Sequence, residues 1–144
     1  MSFIQSLKEE HRQIERELIE LETIINSEVI NYPNLIHVYK ELHDFWNLHE
    51  QKEDKIFCIL KHEKITIPVK KMLFEHGQMR KYKEKLLNAI NSGNNERVKN
   101  ALNNEWKKVV ELLRDHINTE DEILYRITEE QFSKKELADA EKAI

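Results

Sequence analysis

Six residues of this sequence have the types and the spacing of a metal site built from histidine and carboxylate. Two His-x-x-x-Glu units each bring an imidazole and a carboxylate to one helix face, because residues four apart are neighbours on a helix. A further histidine precedes each unit along the chain. The six residues are His11, His49, Glu53, His76, His116 and Glu120. Buried polar groups are costly without partners, so we expect a metal pair to be their shared partner.

This set of ligand types indicates which metals and which chemistry to expect. Two carboxylates can bridge two cations, and four imidazoles can be divided between them. Mixed imidazole and carboxylate ligation suits iron, with manganese or zinc as the other candidates. The single cysteine, Cys58, gives no basis for an iron–sulfur cluster. Six protein ligands on two metals leave open coordination positions, where dioxygen or another small molecule could bind.

The composition predicts that long helices position these residues. Two glycines and two prolines in 144 residues are too few for the turns of a sheet-rich fold. The net charge is only -4, with no basic stripe, which argues against nucleic acid as a partner. A single cysteine excludes an intrachain disulfide, and neither a signal peptide nor a window of about 18 apolar residues is visible. We therefore expect a cytoplasmic location and no membrane association.

Apolar residues recur at steps of three and four along four long segments, which is the pattern of amphipathic helices. A short fifth helix is predicted over about residues 134–142, after the capping box of Ser133 and Glu136. The four long helices are predicted over about Phe3–Ser27, Pro33–His62, Thr66–Ser92 and Asn95–Ile127. The predicted fold is all-α, an up-down-up-down antiparallel four-helix bundle with a short C-terminal helical tail. We expect one domain over residues 1–144, with the bundle over about 3–127 and the tail over 128–144.

The six residues also agree in their depth along such a bundle. At a rise of about 1.5 Å per residue, His11 lies roughly 12 Å into its helix and His76 roughly 14 Å. Glu53 and Glu120 lie about eight to nine residues from the ends of antiparallel helices, hence at a similar depth. The two remaining histidines lie one turn further in. All six are therefore expected to meet.

Other polar residues are predicted to lie outside this site. The remaining histidines, His37, His43 and His62, are interpreted as surface or rim residues. His43 lies six residues from His49 and so points away from its face. Glu15, Glu50 and Asp121 are interpreted as solvated charges, and Cys58 as an inert packing residue. Met72, one turn before His76, is the best candidate for lining a small-molecule pocket. The sequence leaves open whether Tyr39, Tyr82 and Tyr125 pack or form hydrogen bonds near the site.

The order His, HxxxE, His, HxxxE over four helices resembles the hemerythrin-like (HHE cation-binding) proteins. The matching stretches are Glu10-His11, His49-Glu-Gln-Lys-Glu53, Glu75-His76-Gly-Gln-Met and His116-Ile-Asn-Thr-Glu120. The resemblance covers about residues 3–127. It implies a non-haem di-iron centre with an oxo or hydroxo bridge and the six residues as ligands. Oxygen-carrying members have one more histidine at the position of Met72, so the chain is more similar to the microbial branch.

Three functions remain open at this point. The first, which the family favours, is a di-iron protein that binds or senses dioxygen or a related small molecule. The second is a di-iron oxidoreductase, or a protein of iron-centre repair or nitric-oxide response. The third is a structural or interaction bundle without metal. Ferritin-like di-iron bundles fit less well because their Glu-x-x-His units have the reverse order. The sequence favours a binding protein over an enzyme and does not specify an oligomeric state.

Overall fold

The computed structural model describes residues 2–144, and in that range the chain is all-helical with no strand. The five helices are α1 (Phe3–Ile25), α2 (Tyr32–Leu60), α3 (Glu63–Asn91), α4 (residues 95–131) and α5 (Lys134–Lys142). Their packing is that of a helical bundle, which confirms the predicted all-α class. No helix within residues 2–144 is both long enough and apolar enough to cross a membrane.

Local sequence signals predicted some helix ends correctly and misplaced the start of α3. The capping boxes predicted at Ser2 and Ser133 are both formed, each with side-chain and backbone bonds in both directions. Helix α3, however, begins three residues earlier than predicted, and the proline taken as its start, Pro68, lies inside it. The His62 side chain caps this helix by accepting a hydrogen bond from the Lys64 backbone N–H. Pro68 has no backbone N–H, so the helix lacks one backbone hydrogen bond at this position.

Helix α4 contains two wider turns with π-helical hydrogen bonding, at Ala101–Trp106 and Glu120–Leu124. Around each turn the buried residues recur every fourth position, as in Val98, Leu102 and Trp106. In a regular α-helix a four-residue step overshoots one turn by about 40°, so repeated steps drift off the buried face. A wider turn corrects this drift. The helix also continues to Gln131, four residues beyond the predicted end.

Two apolar clusters flank the predicted site. The larger includes Ile14, Leu42, Trp46, Met79 and Leu113, and the smaller includes Leu7, Ile56, Met72, Leu124 and Leu137. On each of the four long helices, the polar residues of the predicted site fall between members of the two clusters along the chain. Each fully buried leucine or isoleucine contributes about 1.5–3 kcal/mol. The polar site is therefore held between two apolar cores, the smaller of which includes Leu137 of α5.

Candidate metal centre

All six predicted residues lie together in the interior of the bundle. Each is at most 2% exposed. They form two groups whose possible ligand atoms lie within 4.8 Å of one another. The groups are His11, His49, Glu53 and Glu120, and then Glu53, His76, His116 and Glu120. Both glutamates belong to both groups, so the site has two halves that share two carboxylates. We call these the His11–His49 half and the His76–His116 half.

The His11–His49 half is compact. The Nε2 atoms of His11 and His49 lie 2.9 Å apart. Glu120 Oε1 lies 3.1 Å from His11 Nε2, and Glu53 Oε1 lies 3.1 Å from His49 Nε2. The Tyr125 hydroxyl donates a hydrogen bond to Glu53 Oε2 at 2.8 Å and lies 3.2 Å from His11 Nε2.

The His76–His116 half is looser. His116 Nε2 lies 3.1 Å from Glu120 Oε1, whereas His76 Nε2 lies 3.7 Å from Glu53 Oε1. Several inward atoms have no hydrogen-bond partner in the described part of the chain: His76 Nε2, His116 Nε2, Glu53 Oε1 and Glu120 Oε2. Unpartnered buried polar atoms are rare in folded proteins, and here they point toward one another.

Three of the four histidines are oriented by a carboxylate on their outer side. His11 Nδ1 lies 2.9 Å from Asp121, and His49 Nδ1 lies 3.0 Å from Glu10. In the other half, Glu75 lies 3.0 Å from the Nδ1 atom of His116. Because an ionised carboxylate can only accept, these contacts place the hydrogen of the neutral imidazole on Nδ1 and turn Nε2 inward. This is the tautomer that metal-ligating histidines use.

His76 has a different outer environment. Its Nδ1 atom lies 3.5 Å from Asp54 and 3.8 Å from Glu50, both beyond hydrogen-bond distance. Glu50 is 5% exposed and lies 3.1 Å from the Arg80 guanidinium, so its interpretation as a solvated charge is wrong. The interpretation of Asp121 is also wrong, because its carboxylate bonds to His11 although a third of the side chain remains exposed.

The sequence contains a signal for these outer carboxylates. Each of them directly precedes or follows one of the six site residues along the chain, and each faces a histidine on another helix. The five are Glu10, Glu50, Asp54, Glu75 and Asp121. Adjacent residues on a helix point about 100° apart. A residue next to one that faces the bundle interior therefore faces the seam with the neighbouring helix.

The buried carboxylates and imidazoles of the cluster favour the binding of positive charge. The Nε2 atoms of His11 and His49 lie 2.9 Å apart, so without a cation between them one must carry a proton and donate it to the other. Burial disfavours charge on His49, but the surrounding carboxylates, above all Glu53, outweigh burial and raise its pKa to about 10. Burial and the adjacent Glu53 carboxylate raise the pKa of Glu120 well above its usual value. Without a metal the cluster therefore retains protons, and metal binding would displace them.

Aromatic side chains enclose the cluster. The Trp46 ring lies between 5.4 and 6.0 Å from the rings of His49, His76 and His116, measured between centroids. Tyr125 is fully buried and stacks on His11. Of the tyrosines whose roles the sequence left open, Tyr125 reaches the site.

A cavity of about 200 Å³ connects one side of the cluster with the surface. It is lined by Glu53, His76 and Glu120 at its inner end and by mostly apolar side chains elsewhere, and Met72 is among them as predicted. Cys58 also lines it and is exposed, so the packing role expected for this residue is wrong. It lies two positions after the buried Ile56, about 200° around the helix, and so faces outward.

The three histidines predicted to lie outside the site do so. His37 is exposed, and the half-buried His43 interacts through Nε2 with Asn47 at 3.0 Å. His62 caps α3. Glu15 is half-buried and accepts a hydrogen bond from Arg114, which agrees with its prediction as part of a charged face.

Comparison with known proteins gives one match. The family model described as the hemerythrin HHE cation binding domain matches residues 2–128, which is most of the chain and contains all six residues of the cluster. Comparisons with curated proteins and with solved structures returned no match.

Proposed function

Since the chain belongs to the hemerythrin HHE cation-binding domain family, we propose that it holds two non-haem iron ions and binds or senses dioxygen or a related small molecule. One observation carries the proposal. Two buried histidine pairs share the same two buried carboxylates, Glu53 and Glu120. Two half-sites with common carboxylates are the arrangement that a pair of cations requires, and a single cation would leave half of these groups unpartnered.

The residues present fit such a pair. The His11–His49 half would hold one ion and the His76–His116 half the other, with both carboxylates available to each. The inward lone pairs and the unpartnered oxygens are donors of the kind that iron accepts, and manganese or zinc could compete for them. When bound, a pair of iron ions supplies affinity and redox chemistry toward dioxygen and related small molecules.

The protein's own groups would control access to this centre. The outer carboxylates fix the histidine tautomers, and the Trp46 ring and the flanking apolar clusters keep bulk water away. The cavity gives a small molecule a route to the side of the cluster formed by His76, Glu53 and Glu120. Its mostly apolar lining suits a small, weakly polar molecule such as dioxygen better than a charged metabolite.

We also propose the up-down-up-down arrangement, a single domain over residues 1–144 and a cytoplasmic location. Contacts between helices support the arrangement. Along α2 and α3, Tyr39 contacts Lys83 whereas Asp54 approaches His76, so residue numbers rise on one helix as they fall on the other. Between α1 and α4, His11 pairs with Asp121 and Glu15 with Arg114.

Metal analysis of the purified protein tests the proposal. We expect about two iron ions per chain, and their loss in a variant with both His49→Ala and His116→Ala, which removes one ligand from each half. The matched control carries His37→Ala and His43→Ala and should keep both ions. Retention of two ions in the first variant would contradict the ligand assignment.

An optical spectrum recorded without oxygen, then with oxygen, then after its removal tests the small-molecule function. A reversible change supports binding or sensing. Slow irreversible oxidation instead supports the oxidoreductase hypothesis. A wild-type protein that takes up no metal under these conditions would support the metal-free bundle.

A further inference from the structure

We propose that the phenolic oxygen of Tyr125 is a seventh protein ligand, bound to the metal ion of the His11–His49 half. The inference rests on the proposed function, since it requires that the cluster holds metal. It extends the histidine and glutamate set by a residue of a different type.

Distances place this oxygen among the ligand atoms. Neighbouring ligands that lie about 2.1 Å from an octahedral metal are separated by about 3.0 Å. The contacts within the His11–His49 half have that length, at 2.9 Å between the two Nε2 atoms and 3.1 Å from each nitrogen to a glutamate oxygen. The Tyr125 oxygen fits the same spacing, at 2.8 Å from Glu53 Oε2 and 3.2 Å from His11 Nε2.

The Tyr125 oxygen keeps lone pairs that a metal could use after it donates its one hydrogen to Glu53 Oε2. In the neutral ring of His11, with its hydrogen on Nδ1 opposite Asp121, Nε2 offers a lone pair to the same space. A cation among the three atoms would take both as ligands. The phenolic proton would then be released to solvent, as ligand protons are when metals bind.

The fold holds the Tyr125 oxygen rigidly in this place. Its ring is fully buried and lies nearly parallel to the rings of His11 and Phe57, at centroid distances of 5.4 Å and 6.5 Å. It also follows the wide turn Glu120–Leu124 directly. In a regular α-helix, residue 125 would be rotated by about 140° from Glu120. The wider i→i+5 turn brings it back toward the face of that glutamate.

The extra ligand makes the two halves unequal. The His11–His49 half has two imidazoles, two shared carboxylates and a phenolic oxygen. The His76–His116 half has only two imidazoles and the shared carboxylates. The half with fewer ligands is the one that the cavity reaches. We therefore infer that the small molecule binds on the His76–His116 side, while the phenolic oxygen, a hard anionic donor, stabilises the ferric state of the other ion.

Visible absorption and resonance Raman spectra of the iron-loaded, oxidised protein test the assignment. A phenolate bound to ferric iron gives a charge-transfer band, and excitation in that band enhances the phenolate ring vibrations. We expect both in the wild type and in Tyr39→Phe, whose hydroxyl bonds to the Lys83 carbonyl away from the cluster. Tyr125→Phe keeps the packing of the ring, and it should retain two irons but lose the band and the enhanced vibrations.

The outcomes separate this inference from the proposed function. Wild type with two irons but no enhanced phenolate vibrations would overturn the Tyr125 ligand and leave the proposed function standing. Tyr125→Phe that keeps the band would do the same. Wild type that takes up no iron would overturn both. If Tyr125→Phe does not fold, the wild-type Raman spectrum decides alone, because the hydroxyls of Tyr32 and Tyr39 are bonded outside the cluster and Tyr82 packs on the larger apolar cluster.

Discussion

The two halves of the candidate centre are built from the same ligand types but are held differently. In the His11–His49 half, both imidazoles are fixed by outer carboxylates at 2.9 and 3.0 Å. In the His76–His116 half, only one imidazole is fixed in this way, and His76 lies 3.5 Å or more from its nearest outer carboxylate. The cavity opens beside that less constrained histidine. We therefore expect the His11–His49 half to hold a metal ion more tightly than the more adaptable His76–His116 half.

The largest effect should follow from removing a carboxylate that both halves share. Glu120→Gln preserves the size of the side chain but replaces an anionic oxygen by an amide. We expect the metal content to fall from about two ions per chain to below one, because each ion loses a ligand and half of its charge compensation. Metal analysis after gel filtration measures this. Glu122→Gln, an exposed neighbour on the same helix, is the control.

Two ions retained in Glu120→Gln would show that the halves do not depend on a shared carboxylate. Any difference in metal affinity between the halves would then have to come from their histidines alone.

Single histidine substitutions should separate the two halves. His49→Ala removes a ligand that is fixed on its outer side, and we expect the affinity of that half to fall by about 100-fold or more. His76→Ala removes the least constrained ligand, so its effect should be smaller. Competition with a metal-binding dye, followed for both ions, measures the difference, and His43→Ala serves as the control. Equal losses in the two variants would mean that the outer contacts do not determine how tightly each half binds.

Substitutions of the outer carboxylates should have a smaller effect on metal affinity than substitutions of the histidines, and they also test the difference between the two halves. Asp121→Asn weakens the acceptor that holds the His11 Nδ1 hydrogen, and we expect a loss of about 10- to 100-fold in metal affinity for that half. Asp54→Asn is the matched change in the other half. It should have little effect, because Asp54 is too far from His76 to form a hydrogen bond. A large loss in Asp54→Asn would indicate that His76 closes onto this carboxylate when metal binds.

Much of the fold was predictable because it rests on local signals. Serine caps at Ser2 and Ser133 and the spacing of apolar residues placed the helices within a few residues. The start of α3 was not predictable in this way, because histidine is not among the usual capping residues and a proline offered a more familiar signal. The wide turns of α4 could not be predicted either. A four-residue spacing fits a drifting α-helix or a π-turn equally well, and packing against neighbouring helices decides between them.

The candidate site, too, was predictable in part. The positions of the six residues in the core followed from their register on apolar stripes, since register is a property of one helix. The outer carboxylates and Tyr125 required knowledge of the seams between helices. Glu10 precedes His11 in the chain but bonds to His49, and Glu75 precedes His76 but bonds to His116. Such contacts depend on the distance and rotation between two helices, which a single stripe does not encode.

Narrowing the cavity should have the smallest effect of these changes. It tests directly whether small molecules reach the His76–His116 half through this route. Val69 is half-buried and lines the cavity on α3. Val69→Phe should fill part of its volume of about 200 Å³ without contacting any of the six site residues directly. We expect an unchanged metal content and an association rate of azide with the oxidised protein that is lower by about tenfold, which corresponds to about 1.4 kcal/mol in the barrier. Stopped-flow absorbance measures the rate.

Val29→Phe, the same change at an exposed site, controls for the added ring. An unchanged rate would place the entry route elsewhere, and the adaptability of the His76–His116 half would then rest on its loose outer contacts and not on access from solvent.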